Sequence, residues 1–98
     1  MQQIEAVIDQ FTLQEVRIAL VEMGIEDFMA STIKYHQPGE VMRFRGARFM
    51  ANIVEKVKLE IIAADDAVTG IVEAIGAIAR TGRKEDYRIV IHPCPAGN

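Results

Sequence analysis

The sequence has little cysteine, no tryptophan and no long apolar run. Its one cysteine, Cys94, cannot form a disulfide within the chain, and a single thiol is typical of a reducing compartment. Cys94 and the nearby His92 are two candidate metal ligands, whereas protein metal sites usually have three or four, so we expect no metal site. Charged residues interrupt every apolar run well before the roughly 20 residues that a membrane-spanning helix needs.

A secretory signal is also missing, because the N-terminal MQQIEAVI has no basic segment followed by an apolar one. We therefore expect a cytoplasmic protein. Acidic residues outnumber basic ones, giving a formal net charge of -3, and this balance argues against nucleic acid as a partner. The chain is 50% hydrophobic and 26% charged, which predicts one globular domain over residues 1–98.

The N-terminal part of the chain has the pattern of a strand, a helix and a second strand. Apolar and polar residues alternate over residues 4–11, which predicts a strand with one apolar face. Thr12 and Glu15 have the spacing of a capping box at the start of a helix. Gly24 should end that helix, because glycine readily adopts the left-handed conformation found there. A less regular second strand is predicted over residues 25–34.

The same order recurs in the second half. Residues 57–63 alternate again, Asp65 or Asp66 can cap a helix, and residues 68–78 carry a broad apolar stripe. A last strand is predicted over residues 88–91, before the prolines of a short, loose tail over residues 93–98. Two strand–helix–strand halves predict an α+β fold, a ferredoxin-like βαββαβ sandwich with both helices on one face of the sheet.

That arrangement leaves the other face of the sheet without a covering layer. Val7 and Ile62 are apolar residues whose alternation places them on this uncovered face. Burying them by self-association is one solution, and a monomer with one solvated sheet face is the alternative.

Residues 35–52 form a long stretch between the two halves, and connections of this length are usually binding loops or disordered segments. Positive charge is concentrated there in an otherwise acidic chain, with three arginines and one glutamate: Arg43, Arg45, Arg48 and Glu40. The polar composition leaves little apolar area to dock, so we expect a mobile loop that binds an anionic ligand or an acidic partner. A merely solvated loop is the alternative.

Several short stretches occur in the order found in the PII signal-transduction family: MQQIEAVIDQF, Phe44-Arg45-Gly46-Ala47, Lys56-Val57-Lys58-Leu59-Glu60-Ile61 and Ala79-Arg80-Thr81-Gly82. The chain resembles that family from Met1 to about Ile91. The resemblance implies a non-enzymatic signalling protein, a homotrimer that binds adenine nucleotides in clefts between subunits. It also implies a T-loop, here about residues 35–52, that engages a target protein, and a nucleotide-binding B-loop, about residues 81–88.

The resemblance assigns two sets of binding residues. The nucleotide-binding set is Phe28, Met29, Glu60, Ile62, Gly82, Arg83, Lys84 and Arg88. The anion- or effector-binding set is Gln37, Gly39, Arg43, Arg45 and Lys56.

The chain departs from the family at several of these positions. Phe49 stands where the family has a modifiable tyrosine, so uridylylation there is chemically impossible. The segment leading into Gln37 is about two residues shorter, which alters the site where Gln37 and Lys56 would hold 2-oxoglutarate. The B-loop lacks both later glycines of the family, which removes close backbone approach to phosphate, and Glu85 adds a negative charge.

These departures favour ADP or AMP over ATP, because fewer cations remain for a terminal phosphate. They resemble divergent PII-like proteins encoded with carboxysome components, which bind ADP or AMP and sense bicarbonate. Our leading hypothesis is therefore a bicarbonate-responsive regulator whose T-loop engages a transporter or a carbon-fixation component. A conventional nitrogen regulator that senses ATP and 2-oxoglutarate is the alternative.

Two functions of other classes have weaker support in the sequence. Residues 45–49 match the aromatic RNP1 strand of an RNA-binding domain poorly, because the central aromatic repeat is missing. An acylphosphatase-like enzyme would need an arginine and an asparagine, for which Arg17 and Asn52 are candidates, but no glycine-flanked phosphate cradle follows the first strand. With no nucleophile paired to a base, we expect no catalysis.

Overall fold

The computed structural model describes residues 1–36, 41–50, 53–80 and 87–94. Short 3-10 turns at Gln10–Thr12 and Asp65–Ala67 lead directly into the two helices of these residues. The helices are α1, Leu13–Glu22, and α2, Val68–Ala79. The strands are β1, Gln2–Asp9, β2, Met29–His36, β3, Val41–Phe44, β4, Ala47–Met50, β5, Ile53–Ala63, and β6, Arg88–Pro93.

The long strands form a four-stranded antiparallel sheet in the order β2-β5-β1-β6. The two central strands, β1 and β5, pair from Gln2 with Ala63 to Asp9 with Lys56. Strand β6 pairs with the other side of β1, and β2 pairs with the other side of β5. This strand order confirms the predicted ferredoxin-like βαββαβ sandwich.

The core lies between the sheet and the two helices. Strand β1 buries Ile4, Ala6 and Ile8, and β5 buries its alternate apolar residues on the same face, as predicted. The helices contribute fully buried side chains from both of their apolar stripes: Val16, Leu20, Ile71 and Ile75. Each such aliphatic side chain contributes about 1.5–3 kcal/mol through burial. The opposite face of the sheet, called the open face below, therefore presents the remaining residues of the strands.

The predicted end of α1 is confirmed. Gly24 has φ +85°, its N–H donates to the Val21 carbonyl at 2.9 Å, and the Ile25 N–H donates to the Leu20 carbonyl at 2.8 Å. These two hydrogen bonds form a Schellman motif, which satisfies carbonyls that the helix end leaves free. The motif also turns the chain back toward the sheet.

The predicted caps at the two helix starts are wrong. Thr12 has helical backbone angles instead of the extended ones of a capping residue, and its Oγ1 donates to the Asp9 carbonyl at 2.9 Å. At α2 neither Asp65 nor Asp66 makes a capping hydrogen bond, because both lie inside the 3-10 turn. Asp65 instead forms an ion pair with the Met1 amino group at 3.0 Å, and this amine lowers the pKa of the Asp65 carboxyl.

The second strand differs from the prediction at both ends. Strand β2 begins at Met29 and not at residue 25, because its pairing with β5 starts where Met29 meets Glu60. It continues to His36, so Tyr35 belongs to the sheet and not to a loop. Farther along the expected mobile loop, β3 and β4 pair as a hairpin. Its turn has Arg45 at positive φ, where glycine or asparagine would be the usual signal in the sequence.

None of the helices within the described ranges combines the length and the apolar character needed to cross a membrane.

Candidate functional site

The open face carries most of the candidate binding residues that the structure describes. The antiparallel registers place Lys56, Lys58, Glu60 and Ile62 of β5 on this face, because the alternate residues of β5 are buried against the helices. Residues directly opposite each other on paired strands share a face of the sheet, so the other three strands also contribute side chains to the open face. These are Met29, Ser31, Ile33, Tyr35, Glu5, Val7, Asp9, Arg88, Val90 and His92. The expected positions of Val7 and Ile62 on this face are confirmed.

A pocket of about 270 Å³ lies on this face around Lys56. Although it is on the open face, Lys56 is only 4% exposed. Its Nζ donates to Asp9 Oδ1 at 3.1 Å and lies 5.6 Å from the centre of the Tyr35 ring. Tyr87 and Arg88 complete the polar lining of the pocket, with Val7 at its side. The pocket thus combines two aromatic rings with two cations, of which Lys56 is paired with Asp9 and Arg88 is exposed and able to pair with an anionic ligand.

A second depression of about 260 Å³ adjoins the first and shares Val7 and Arg88 with it. Lys58 lies in this depression and donates to Glu5 Oε1 at 2.9 Å and to Glu60 Oε1 at 3.3 Å. Glu5 also contacts the His92 ring, with 3.2 Å between Oε2 and Nε2. These charged residues therefore link β5, β1 and β6 across the open face.

The charged groups of this network shift the pKa values of Lys58 and Glu5. Glu5, and then Glu60, raise the pKa of Lys58 by accepting hydrogen bonds from its ammonium group. The pKa of Glu5 is lowered, first by Lys58 and then by His92. The open face therefore keeps the Glu5 and Lys58 charges over a wider pH range than isolated side chains would.

The described residues of the predicted nucleotide-binding set divide into two groups. Met29 and Glu60 are paired on β2 and β5, Ile62 lies two residues along β5, and Phe28 precedes β2. Arg88 lies on β6, at the opposite edge of the sheet. Strands β2 and β6 are three strand spacings apart, which is about 14 Å. The remaining predicted residues, Gly82, Arg83 and Lys84, lie outside the described residues.

The predicted effector-binding set is also divided. Lys56 lies within the four-stranded sheet, whereas Arg43 and Arg45 lie in the β3–β4 hairpin, which forms a sheet of its own. Neither arginine is among the described residues that line the pocket around Lys56. Gln37 and Gly39 lie outside the described residues, as do the glycine-poor part of the B-loop and residues 95–98 of the tail.

Sequence reasoning missed three residues at this pocket. Asp9, Tyr35 and Tyr87 contact or surround Lys56 or Arg88, yet they are distant from Lys56 in the chain. Asp9 could have been found only from the pairing register of β1 with β5. Tyr87 adjoins Arg88 in sequence, and this aromatic–basic pair was the available signal.

The geometry gives little support to the alternative functions. Arg17 lies on the exposed surface of α1, and Asn52 is outside the described residues. His92 is engaged with Glu5, and the described residues contain no group of three His, Cys, Asp or Glu side chains that could hold a metal ion. The RNP1-like residues 45–49 lie in the turn and in β4 of a two-stranded hairpin and not in the sheet that an RNA-binding domain would use.

Comparisons with known proteins agree with this architecture. The sequence model of the family described as "Nitrogen regulatory protein P-II" matches residues 1–93. The chain is 40% identical over 93 residues to the protein of that name from Mesorhizobium japonicum, covering 93% of this chain and 83% of the relative.

Two further relatives with the same name come from Microchaete diplosiphon and Porphyra purpurea. The first is 39% identical over 95 residues, covering 95% of this chain and 85% of the relative. The second is 39% identical over 93 residues, covering 93% of this chain and 83% of the relative. Together with the match over residues 1–93, these identities show that the chain belongs to the nitrogen regulatory protein P-II family.

Proposed function

We propose that this chain is a non-enzymatic P-II signalling protein that binds an adenine nucleotide between the subunits of a homotrimer and acts on a target protein through residues 37–52. The observation that carries the proposal is the division of the nucleotide-binding set. Met29 and Ile62 lie toward the β2 edge of the sheet and Arg88 lies on the β6 edge. Within one chain these two groups lie about 14 Å apart on the same flat face, whereas the β2 edge of one subunit beside the β6 edge of the next would bring them to opposite walls of one cleft.

The chemistry of the two edges suits the two ends of a nucleotide. Met29 is 65% exposed and Ile62 is 50% exposed, so they offer apolar surface to a purine ring. Arg88 is exposed at the start of β6, next to Tyr87, and can pair with a phosphate. Arg83 and Lys84 precede it in the sequence and would add charge at the phosphate end.

Nitrogen regulation is the better supported context for this signalling. The three relatives described above are named for it, and those names contain no reference to bicarbonate or inorganic carbon. The bicarbonate-responsive hypothesis rests only on departures in the loops, above all Phe49 and Glu85. We therefore propose a nitrogen-regulatory role, with ADP or AMP binding at least as tightly as ATP because Glu85 opposes a third phosphate.

Isothermal titration calorimetry tests the proposal directly. ADP, AMP and ATP are titrated into the protein alone, with 2-oxoglutarate and with bicarbonate. Arg88→Ala should weaken ADP binding by about tenfold or more, since a hydrogen bond to a charged group contributes roughly 1.5–3 kcal/mol. Arg17→Ala, which removes an exposed arginine from α1, is the matched control and should bind ADP like wild type.

The same titrations discriminate between the two regulatory contexts. Coupling of nucleotide binding to 2-oxoglutarate supports nitrogen regulation, whereas coupling to bicarbonate alone supports the inorganic-carbon hypothesis. Failure of all three nucleotides to bind, or an unchanged ADP affinity in Arg88→Ala, would refute the proposed binding site.

A further inference from the structure

The β3–β4 hairpin has two chemically different faces. Its register pairs Arg43 directly with Arg48, so both arginines lie on one face. Met42 and Phe44 alternate with Arg43 along β3 and therefore occupy the other face, where they are 50% and 64% exposed. The hairpin thus presents a cationic face and an apolar face, and both are accessible.

The Arg43–Arg48 pair is electrostatically unfavourable in the hairpin by itself. Residues directly opposite each other on antiparallel strands have Cβ atoms about 4.5–5.5 Å apart, and like charges at this separation repel. Residues 41–50 contain three arginines and no acidic residue. Among the ion pairs of the described residues, none involves Arg43 or Arg48. An anion between the two guanidinium groups would turn this repulsion into attraction.

The turn of the hairpin fixes this pairing. Arg45 has φ +52° and Gly46 has φ +81°, and positive φ at both central positions is what a type I′ turn requires. A two-residue turn sets the register, so Arg43 cannot move away from Arg48 by strand slippage. The Arg45 guanidinium lies 5.3 Å from the centre of the Phe44 ring, which places a third cation beside the apolar face.

We propose that Arg43 and Arg48 form a clamp for side-chain carboxylates of a target protein, on an acidic segment that also carries apolar residues. This inference rests on the proposed function only in taking residues 37–52 as the segment that engages the target. A guanidinium group binds carboxylate through two parallel hydrogen bonds, and two adjacent groups can hold neighbouring carboxylates.

The chemistry of the hairpin favours a protein over other anions. A small inorganic anion would leave the exposed Met42 and Phe44 on the other face unused. An acidic peptide that pairs along the edge of the hairpin would place its carboxylates beside the arginines and its alternate apolar residues beside Met42 and Phe44. Nucleic acid is disfavoured because the whole chain has a formal net charge of -3 and would repel a long polyanion.

Fluorescence anisotropy can test the clamp with a fluorescein-labelled peptide of alternating glutamate and leucine. Arg48→Glu should weaken peptide binding by about tenfold, because it removes one attraction and adds a repulsion. Arg43→Glu should have a similar effect. The double variant should lose little more than either single variant, since two residues of one clamp act as a unit. Arg17→Glu on α1 makes the same change in net charge and should stay within about twofold of wild type.

Hydrogen exchange supplies a second readout that does not depend on the peptide. A carboxylate introduced at position 48 attracts Arg43, so the amides of β3 and β4 in Arg48→Glu should exchange more slowly than in wild type. Arg48→Gln, which removes the charge without reversing it, should have intermediate exchange rates and intermediate peptide affinity. Circular dichroism spectra like that of wild type would show that each variant keeps the fold.

Several outcomes would overturn the clamp. These are unchanged peptide affinity in Arg48→Glu, an equal loss in Arg17→Glu, or tighter hairpin-dependent binding of labelled oligouridylate than of the peptide. ADP titrated into the same variants keeps the two proposals distinct. Peptide binding that depends on Arg43 and Arg48 without any nucleotide binding would support the clamp and refute the nucleotide site. Nucleotide binding without peptide binding that depends on Arg43 and Arg48 would refute the clamp and leave the nucleotide site standing.

Discussion

At the scale of single residues, Glu5 connects three strands of the open face. Its carboxylate accepts a hydrogen bond from Lys58 on β5 at 2.9 Å and contacts His92 on β6 at 3.2 Å. Lys58 and then His92 hold the pKa of Glu5 below the ordinary 4.5. A carboxyl whose pKa is lower in the folded chain stabilises the fold above the unfolded pKa, and this contribution disappears as the pH falls through the folded pKa.

We predict that Glu5→Gln will reduce the dependence of stability on pH in acid. The urea midpoint of wild type should fall more steeply from about pH 5 to about pH 3 than that of the variant. Asp65, whose pKa is also lowered, remains in both proteins, so the urea midpoint of the variant should still fall somewhat as the pH decreases. Lys58 has a raised pKa, and its contribution is lost only as the pH rises through that value, far from the acid range.

The control for this experiment is Glu73→Gln, which changes an exposed carboxyl on α2. Its urea midpoints should follow those of wild type through the acid range. Identical slopes for wild type and Glu5→Gln would show that the contacts of Glu5 with Lys58 and His92 do not stabilise the fold.

At the scale of elements, the features that were predictable depend on neighbours in sequence. Alternation identifies the buried faces of β1 and β5, and Gly24 marks the end of α1, because these patterns depend on local geometry. The capping box was wrong because the chain enters α1 through a 3-10 turn and gives Thr12 a helical conformation. The β3–β4 hairpin was missed because its turn places Arg45 at positive φ, where glycine or asparagine would be the usual signal.

Two glycines provide a matched pair of predictions about helix stability. Gly24→Ala should destabilise the protein by about 1 kcal/mol, because Gly24 has φ +85° and alanine is strained there. Gly70→Ala should stabilise it by about 0.5–1 kcal/mol, because Gly70 lies within α2 and alanine favours the helix. The added Cβ would lie 3.4 Å from the flexible Met23 Cε, which can move.

Urea denaturation at one protein concentration measures both effects, since the stability of the proposed trimer would depend on protein concentration. The opposite signs make the comparison internally controlled. Destabilisation by Gly70→Ala would mean that the contact with Met23 outweighs helix propensity, and a neutral Gly24→Ala would contradict the conformational account of the α1 terminus.

At the scale of the whole molecule, the arrangement of residues on the open face could not be predicted from the sequence. The fold and the family followed from patterns within the chain, whereas the candidate site depends on how the strands are ordered and paired. The registers show that Met29 and Arg88 lie at opposite edges, and that Lys56 is paired with Asp9. None of these relations can be obtained from residue types alone, because they depend on the order and register of the strands.

We predict that Val90→Lys will convert the proposed trimer into monomers. Val90 lies on the open face in the middle of the edge strand β6, and a lysine there would place a charge where the proposed contact between subunits needs apolar surface. Glu5 is the residue directly opposite Val90 on β1, so the new ammonium group would have an acidic neighbour within the chain. The variant should therefore keep its fold while it loses association.

Light scattering coupled to size exclusion gives the mass of each protein. Wild type should have the mass of a trimer at micromolar concentration, and Val90→Lys should have that of a monomer with an unchanged circular dichroism spectrum. Ile18→Lys, which places the same charge on the exposed side of α1, should remain trimeric, because the helices lie on the opposite side of the sheet. A monomeric wild type would refute association, whereas a trimeric Val90→Lys variant would place the interface on a surface that does not include the middle of β6.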